Sequence, residues 1–264
     1  MNTREDKMQA FGRLLDVMDT LREKCPWDKE QTFDSLRKNT IEETFELCDA
    51  ILEKDMDEIK KELGDVLLHI VFYAKMGEEQ NAFDMSDVIH ALCDKLIYRH
   101  PHVYGEINAD NSKAVIENWE QLKLKEKGRK KKTVLEGVPR SLPAMVKATR
   151  IQEKVSAVGF DWEEREQVWD KVQEEIGEVQ EEINAHNTQQ TEAEFGDLFF
   201  ALINAARLYN VDPEAALERT NKKFIRRFNY LEEKTIQQGQ DLHQMSLEEM
   251  DKYWDEAKKL DKKK

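Results

Sequence analysis

The feature that most constrains this chain is an internal repeat, because one acidic pattern occurs twice at a constant offset of 132 residues. IEETFEL at 41–47 aligns with EEIGEV at 174–179. ELGDVLLHIVFYA at 62–74 aligns with EFGDLFFALINAA at 194–206. A pattern that recurs with the same internal gap indicates a duplicated structural module. We therefore expect two similar units in tandem.

The composition favours helices for both units. Of 264 residues, 36% are charged and only 15 are glycine or proline, which is typical of long helices rather than of a turn-rich sheet protein. No alternating apolar and polar stretch bounded by turn residues is present. Helix starts are predicted by Ser86, by the pair Asp212-Pro213 and by Ser246 with Glu249. The sequence thus predicts an all-α fold of two tandem helical-bundle modules related by duplication.

A basic segment separates the two copies. KLKEKGRKKK at 123–132 has seven basic residues and one acidic residue, so we interpret it as a solvated linker or a frayed helix end. The alternative is a weak contact surface for anions. The predicted boundaries are a first module at 1–122, a basic linker at 123–139 and a second module at 140–264.

Charge and cysteine content exclude several classes of protein. The net charge of −14 repels nucleic-acid backbones, so we expect no nucleic-acid partner. Three cysteines without a C-x-x-C pair favour a reducing compartment over a disulfide framework. The start MNTREDKM has no apolar signal core, and the longest apolar run, VLLHIVFYA, is too short to cross a bilayer. We expect a cytoplasmic protein without membrane association.

The spacing of the acidic residues brings four carboxylates together in the second module. Glu175 and Glu178 are three residues apart and share one helix face, and so do Glu194 and Asp197. The midpoint between Glu178 and Glu194 is residue 186, within the polar stretch AHNTQQ. A turn there returns the chain over about 12 Å, at 1.5 Å per residue, and places the second pair beside the first.

The first module repeats this arrangement with Glu43, Glu46, Glu62 and Asp65. The midpoint between its inner pair is Lys54, inside the polar stretch EKDMD. A helical hairpin that turns at Lys54 would therefore form a second carboxylate cluster.

Clustered carboxylates require protons or a cation. Two unit charges 4 Å apart repel by about 4 kcal/mol at an effective dielectric constant near 20. Because Asp197 precedes the apolar run LFFALINAA, we expect it on a buried helix, where an unpaired carboxylate is costly. Oxygen ligands alone favour Mg²⁺, with Mn²⁺ as a substitute, whereas a di-iron site would need Glu-x-x-His pairs.

Cationic residues supply candidate phosphate ligands. Lys223 and Arg227 are four residues apart on one helix face, and so are Lys95 and Arg99. Surface charge is the alternative interpretation. Trp254 is a candidate for stacking on a base, with a place in the core as its alternative.

Taken together, these motifs resemble the MazG family within the superfamily of all-α nucleoside triphosphate pyrophosphohydrolases. The resemblance covers nearly the whole chain. It implies hydrolysis of nucleoside triphosphates between the α- and β-phosphates, a requirement for Mg²⁺, and a homodimer. Besides the two acidic patterns, it rests on CPWDKEQTF (25–33), RHPHVYG (99–105), VPRSLPA (138–144) and VGFDW (158–162).

The resemblance also implies roles for individual residues. Metal ligation would fall to Glu175, Glu178, Glu194 and Asp197. The metal would lower the pKa of a bound water, with Glu174 or a ligand such as Glu175 activating it. Candidate nucleotide and phosphate contacts are Lys171, Lys223, Arg226, Arg227 and Trp254.

The second module is the predicted catalytic one, because KKFIRR at 222–227 is more basic than DKLIYR at 94–99. The first module keeps its carboxylates and stays open as a second active or metal site, comprising Glu43, Glu46, Glu62, Asp65, Lys95 and Arg99.

Two other classes of function stay open at this point. A helical dimeric scaffold that binds another protein or senses nucleotide, with a vestigial acidic cluster, would neither bind metal nor hydrolyse nucleoside triphosphates. A phosphatase for signalling or modified nucleotides would differ from the first hypothesis only in its substrate.

Overall fold

A computed structural model of the chain describes residues 1–105, 115, 122 and 133–261. Across these ranges every regular element is a helix, which confirms the predicted all-α class. The chain divides into two compact units, Met1–Lys125 and Glu126–Lys264. The basic segment 123–132 lies outside the described residues, and the predicted module boundaries stay predictions.

The first unit is built around the contact between two long helices that follow each other in sequence. Its apolar core is formed by Met18, Leu36, Val71, Phe72 and Met76. Its described helices are α1 (Arg4–Lys24), α2 (Pro26–Glu30), α3 (Phe33–Glu53), α4 (Met56–Glu79), α5 (Met85–Arg99) and α6 (Pro101–Tyr104).

The second unit has the same central pair of helices, here α8 (Val168–Asn184) and α9 (Thr188–Leu208). Its core is smaller in side-chain volume and consists of Val168, Val172, Ala201 and Ala205. Two short 3₁₀ helices, Arg165–Gln167 and Leu242–Gln244, precede α8 and α11. The helices are α7 (Ala144–Ser156), α8 (Val168–Asn184), α9 (Thr188–Leu208), α10 (Pro213–Gln237) and α11 (Leu247–Asp261).

Both helical hairpins turn where the sequence predicts. α3 ends at Lys54, which has φ 59°, and α8 is followed by His186 with φ 56°. Each of these residues adopts the left-handed conformation that reverses a helix at its C-terminus. The next helix then starts at once, capped by the side chain of Asp55 in the first unit and of Asn187 in the second. These tight turns place the two acidic pairs of each module on facing helices.

Two of the predicted helix caps are confirmed. Asp212 caps α10, with Pro213 as the first helical residue. Ser246 and Glu249 form a reciprocal pair before α11, since the Ser246 N–H donates to the Glu249 carboxylate (2.9 Å) and the Glu249 N–H donates to Ser246 Oγ (3.3 Å).

The cap predicted for α5 is wrong by two residues. The N-cap is Asp84, whose side chain accepts from the Asp87 N–H (2.9 Å), while Asp87 accepts from the Asp84 N–H (3.1 Å). Ser86 lies within the first turn instead. A charged Asp–Asp pair can satisfy two helix N–H groups, so the earlier start is the better-capped one.

The prediction that α9 is buried all round is wrong. Ala201 and Ala205 face the core, whereas Phe199 is 60% exposed and Phe195 and Leu202 are also exposed. Ile203 is buried as well, so α9 is buried on one face and carries exposed large apolar residues elsewhere. No described helix combines the length and the apolar character needed to cross a membrane.

Candidate functional site

The second module brings three of its predicted ligands into one cluster. Glu175 on α8 and Glu194 and Asp197 on α9 each offer a carboxylate oxygen, and these oxygens all lie within 4.8 Å of one another. Their proximity follows from the hairpin, because the turn at 185–187 returns α9 along α8. Three negative charges at this separation repel strongly unless a cation or protons compensate them.

Glu175, and not Asp197, is the buried member of this cluster. Glu175 is 4% exposed, Glu194 is half-buried and Asp197 is exposed, which corrects the expectation that Asp197 is buried. Glu175 Oε2 is buried and has no hydrogen-bond partner in the described part of the chain. A buried carboxylate oxygen without a partner is costly, so this atom marks the place where a cation would be most stabilising.

Lys171 holds the other oxygen of Glu175. Lys171 lies one turn before Glu174 and Glu175 on α8, and its Nζ is 2.7 Å from Glu175 Oε1 and 2.8 Å from Glu174 Oε1. Hydrogen bonds to Glu174 and Glu175 raise the pKa of Lys171, so the ammonium stays charged at neutral pH. Glu174 itself is exposed, and its link to the cluster is the hydrogen bond that it accepts from Lys171, which also binds Glu175.

Glu178 lies next to the cluster rather than in its tightest part. It is half-buried on α8, one turn after Glu175. Loss of solvent raises the pKa of Glu178, and a hydrogen bond with Glu175 and the charges of Glu175 and Glu194 raise it further. The structure therefore brings all four predicted ligands into one electrostatically coupled group.

A cavity of about 790 Å³ opens beside these carboxylates. Its volume falls within the range of roughly 300–1,000 Å³ that is typical of small-molecule sites. Glu175 lies about 10 Å from Val168 along α8, and Asp197 about 15 Å from Arg207 along α9, at 1.5 Å per residue. The cavity thus runs from an acidic end to a far end where apolar residues accompany Asn204 and Arg207; its apolar lining includes Ile151, Val155, Phe160, Trp162, Val168, Phe200 and Ala201.

An ion pair fixes the loop at the apolar end of the cavity. Arg207 donates to both carboxylate oxygens of Asp161 (2.6 and 2.9 Å) and also binds Asn204 Oδ1. Burial raises the pKa of Asp161, but the hydrogen bonds from Arg207, Ser156 and the Trp162 N–H outweigh this effect and lower the pKa overall.

Part of this lining could be found from sequence, and part could not. Four residues of the VGFDW motif at 158–162 line the cavity, namely Gly159, Phe160, Asp161 and Trp162. Gln152 and Asn204 also line it but carry no sequence signal. Gln152 is buried, and its Nε2 donates to the carbonyl oxygen of Phe200 (2.8 Å).

The predicted phosphate contacts on α10 lie apart from the cavity lining. Arg226 and Arg227 both bind Asp261 at the end of α11 (2.5 and 2.7 Å). The Arg227 guanidinium lies 5.8 Å from the ring centroid of Trp254. Lys223 is half-buried on the same helix, and none of these four predicted contacts is among the residues that line the cavity. Their role in binding phosphate stays a prediction.

The first module has a matching cluster. Carboxylate oxygens of Glu43, Glu62 and Asp65 lie within 4.8 Å of one another. Partial burial raises the pKa of Glu43, with further contributions from the charges of Asp65, Glu46 and Glu62. Glu46 is exposed and outside the tight group, and on α5 Lys95 is exposed and Arg99 half-buried.

Comparison with known proteins finds one family domain twice in the chain, once over each of the two acidic clusters. The MazG nucleotide pyrophosphohydrolase domain matches residues 31–104 and 163–231, two stretches that start 132 residues apart. This match confirms the tandem arrangement predicted from the repeat.

Several relatives resemble the chain over most of its length. The nucleoside triphosphate pyrophosphohydrolase/pyrophosphatase MazG of Thermotoga maritima is 44% identical over 94% of this chain and 95% of its own. The nucleoside triphosphate pyrophosphohydrolase of Escherichia coli K12 is 43% identical over 96% and 98%. The uncharacterised protein YabN of Bacillus subtilis is 45% identical over 90% of this chain and 49% of its own. The chain therefore belongs to the MazG nucleotide pyrophosphohydrolase family.

Proposed function

We propose that the second module hydrolyses nucleoside and deoxynucleoside triphosphates to the monophosphate and pyrophosphate, with Mg²⁺ at its carboxylate cluster. The observation that carries this proposal is the cavity of about 790 Å³ that joins the cluster to an apolar, aromatic end. A triphosphate needs cations at one end, and a nucleoside needs apolar and aromatic walls at the other. The names of the relatives from T. maritima and E. coli support the same activity.

The residues of the cluster fit Mg²⁺. All donors are carboxylate oxygens, which a hard divalent cation prefers, and Glu175 Oε2 is buried without a hydrogen-bond partner among the residues that the structure describes. Glu175, Glu194 and Asp197 would hold the ion, with Glu178 beside them. When bound, Mg²⁺ would neutralise phosphate charge and lower the pKa of the attacking water.

The chain's own residues would perform the remaining steps. Lys171 is charged and lies at the acidic end of the cavity, where its Nζ can donate to phosphate oxygens. Glu174 is exposed and bound to Lys171 (2.8 Å), and we propose that Glu174, or a ligand such as Glu175, accepts the proton of the attacking water. Attack at the α-phosphorus breaks its bond to the bridging oxygen, and pyrophosphate leaves with that oxygen.

The same proposal includes a cytoplasmic location and Mn²⁺ as a substitute for Mg²⁺. The three cysteines are all free, which supports a reducing compartment. Mn²⁺ accepts the same oxygen ligands as Mg²⁺.

Product analysis tests the reaction. The full chain is incubated with each of the four ribo- and four deoxyribonucleoside triphosphates and Mg²⁺, and the products are separated by ion-exchange chromatography. We expect monophosphate and pyrophosphate in equal amounts. Diphosphate with orthophosphate would show that the proposed bond is not the one cleaved.

A pair of variants on α9 tests the site. Asp197→Asn removes a ligand charge and should lower kcat by more than about 100-fold, since even outer-shell partners of a metal are worth 10–100-fold. Glu192→Gln removes an exposed charge five residues earlier on the same helix and should leave kcat within twofold. Equal activity of both variants would place catalysis outside this cluster.

A further inference from the structure

A buried amide in the cavity wall has an unused hydrogen-bond acceptor. Gln152 on α7 lines the cavity and is 3% exposed. Its Nε2 donates to the carbonyl oxygen of Phe200 (2.8 Å), whereas its Oε1 is buried and has no hydrogen-bond partner among the residues that the structure describes. A buried acceptor without a donor is costly, so this oxygen calls for a donor from outside the described chain.

The neighbour of this amide fixes the direction in which it faces. The Phe200 carbonyl can only accept a hydrogen bond, so the nitrogen of the Gln152 amide must lie against it and the oxygen must lie on the other side. The cavity is the open space that Gln152 borders. A ligand in the cavity is therefore the candidate source of an N–H group for Oε1.

A second amide with a fixed direction lies beside the first. Asn204 on α9 is half-buried and also lines the cavity. Its Oδ1 accepts two hydrogen bonds from Arg207 (2.8 and 3.0 Å), so its Nδ2 lies on the opposite side, where no described residue accepts from it. In helix α9 the Asn204 N–H donates to the carbonyl oxygen that Gln152 also binds, which places the two amides side by side.

The fold does not require an amide at residue 204. Counting back 132 residues, Asn204 corresponds to Phe72, which is 2% exposed and packs in the apolar core of the first unit. An amide costs more to bury than a phenylalanine unless its polar atoms are hydrogen-bonded. The unused Nδ2 of Asn204 is therefore better explained by a ligand than by packing.

The position of the two amides along α9 suits the nucleoside end of a triphosphate. Phe200 and Asn204 follow Asp197 by about 4.5 and 10.5 Å along the helix axis, at 1.5 Å per residue. With the phosphates at the carboxylates, the base lies further along the cavity, where Phe160 and Trp162 supply aromatic faces.

We propose that Gln152 and Asn204 bind the hydrogen-bonding edge of the base, with Gln152 Oε1 accepting an N–H and Asn204 Nδ2 donating to the acceptor atom next to it. Every natural base offers such a pair of atoms: an amino group beside a ring nitrogen in adenine and cytosine, and a ring N–H beside a carbonyl in guanine, uracil and thymine. The pair thus admits all natural bases and rejects a base that lacks the N–H. This inference rests on the proposed function, because it takes the cavity as the nucleoside site.

A substrate without the amino group tests the contact of Gln152. We compare kcat/KM for ATP with kcat/KM for the triphosphate of purine riboside, which has hydrogen in place of the amino group of adenine. The wild type should prefer ATP by at least about tenfold, because the analogue leaves Oε1 without a donor. Equal kcat/KM for the two substrates would overturn the inference.

A variant separates a base contact from a purely structural role. Gln152→Met keeps a side chain of similar length without the amide, so it should lower kcat/KM for ATP and abolish the preference over the analogue. The matched control is Glu153→Gln, at the next and exposed residue of α7, which should keep the preference. Equal losses for both substrates in Gln152→Met would show that the amide only joins α7 to α9, and the inference would be wrong.

Asn204→Asp gives a second readout if Gln152→Met folds poorly. The aspartate keeps an oxygen for Arg207 but has no N–H for the base. It should lower kcat/KM for ATP and hardly change that for 1-deaza-ATP, which has a C–H in place of the ring nitrogen beside the amino group. Equal losses for these two substrates would remove Asn204 from the base contact.

Binding without hydrolysis distinguishes a failure of this inference from a failure of the proposed function. Calorimetric titration with the α,β-methylene analogues of ATP and of purine riboside triphosphate, with Mg²⁺, should show the same preference of about tenfold in Kd. That preference in a chain that hydrolyses no nucleoside triphosphate would refute the proposed function alone. Hydrolysis of ATP and of the purine riboside triphosphate with equal kcat/KM would refute only this inference.

Discussion

At the scale of single residues, the ion pair between Asp161 and Arg207 links the loop after α7 to the end of α9. The Arg207 and Asp161 side chains are 15% and 23% exposed, although Asp161 as a whole residue is exposed, and Arg207 makes two hydrogen bonds to the carboxylate. Hydrogen bonds between charged groups contribute about 1.5–3 kcal/mol each to stability when they are shielded from water. This pair therefore holds the wall of the cavity that carries Phe160 and Trp162.

Asp161→Asn should lower the free energy of unfolding by about 2 kcal/mol at pH 7. Because the pKa of Asp161 is lowered in the folded state, its contribution is fully present above about pH 4 and is lost as pH falls through that lowered pKa. Urea unfolding at pH 7 and pH 3 measures the difference between wild type and variant, which should shrink at pH 3.

A matched substitution separates this effect from a loss of surface charge. Asp255→Asn breaks an exposed pair with Lys258 (3.0 Å) and should lower the free energy of unfolding far less than Asp161→Asn does at pH 7. An equal effect of both substitutions at pH 7 would show that the ion pair at the cavity has no special weight.

The clustering of the carboxylates could be predicted from sequence, because helical spacing and a midpoint turn decide which side chains meet. The burial of each ligand could not. Glu175 is buried and Asp197 is exposed, and on α9 Ala201, Ile203 and Ala205 are buried whereas Phe199 is exposed. Hydropathy alone counts the phenylalanines as core, whereas packing favours small residues where α8 and α9 approach closely.

At the scale of elements, the two hairpin turns each place a non-glycine residue in the left-handed conformation. Lys54 ends α3 with φ 59° and ψ 29°, where glycine avoids the steric penalty of a Cβ atom. Lys54→Gly should therefore raise the free energy of unfolding by up to about 1 kcal/mol.

Lys60→Gly, in the interior of α4 with ordinary helical geometry, is the control and should lower the free energy of unfolding by about 1 kcal/mol. Urea unfolding of both variants at pH 7 measures the two signs. Destabilisation by Lys54→Gly as well as by Lys60→Gly would show that relief of backbone strain at Lys54 does not outweigh the loss of its side chain.

For the basic residues of α10, helical spacing predicts which side chains share a face but not which acidic residue they bind. Lys223 and Arg227 share a face as expected, but Asp261 on α11 binds Arg226 and Arg227. Nothing in the sequence near residue 225 predicts that partner, because it lies 34 residues further on. Tertiary pairing of this kind depends on how α11 packs against α10.

At the scale of the whole molecule, the outward face of α9 carries large apolar side chains that are exposed to solvent. Phe195, Phe199 and Leu202 lie at helical spacing and are 40–60% exposed. A contiguous exposed apolar face of this kind is typical of a protein–protein interface. We propose that it forms part of a homodimer interface, in which burial of each large side chain contributes about 1.5–3 kcal/mol.

Phe199→Glu should accordingly weaken the dimer by at least about tenfold, since loss of one buried phenylalanine exceeds the 1.4 kcal/mol that corresponds to a tenfold change. Sedimentation velocity at 1–50 µM, in the absence of nucleotide, measures the distribution of monomer and dimer. Ile236→Glu, at an apolar residue that is even more exposed and lies near the end of α10, should leave the distribution unchanged. A wild-type chain that is monomeric throughout this range would contradict the proposal, and equal weakening by both substitutions would move the interface away from α9.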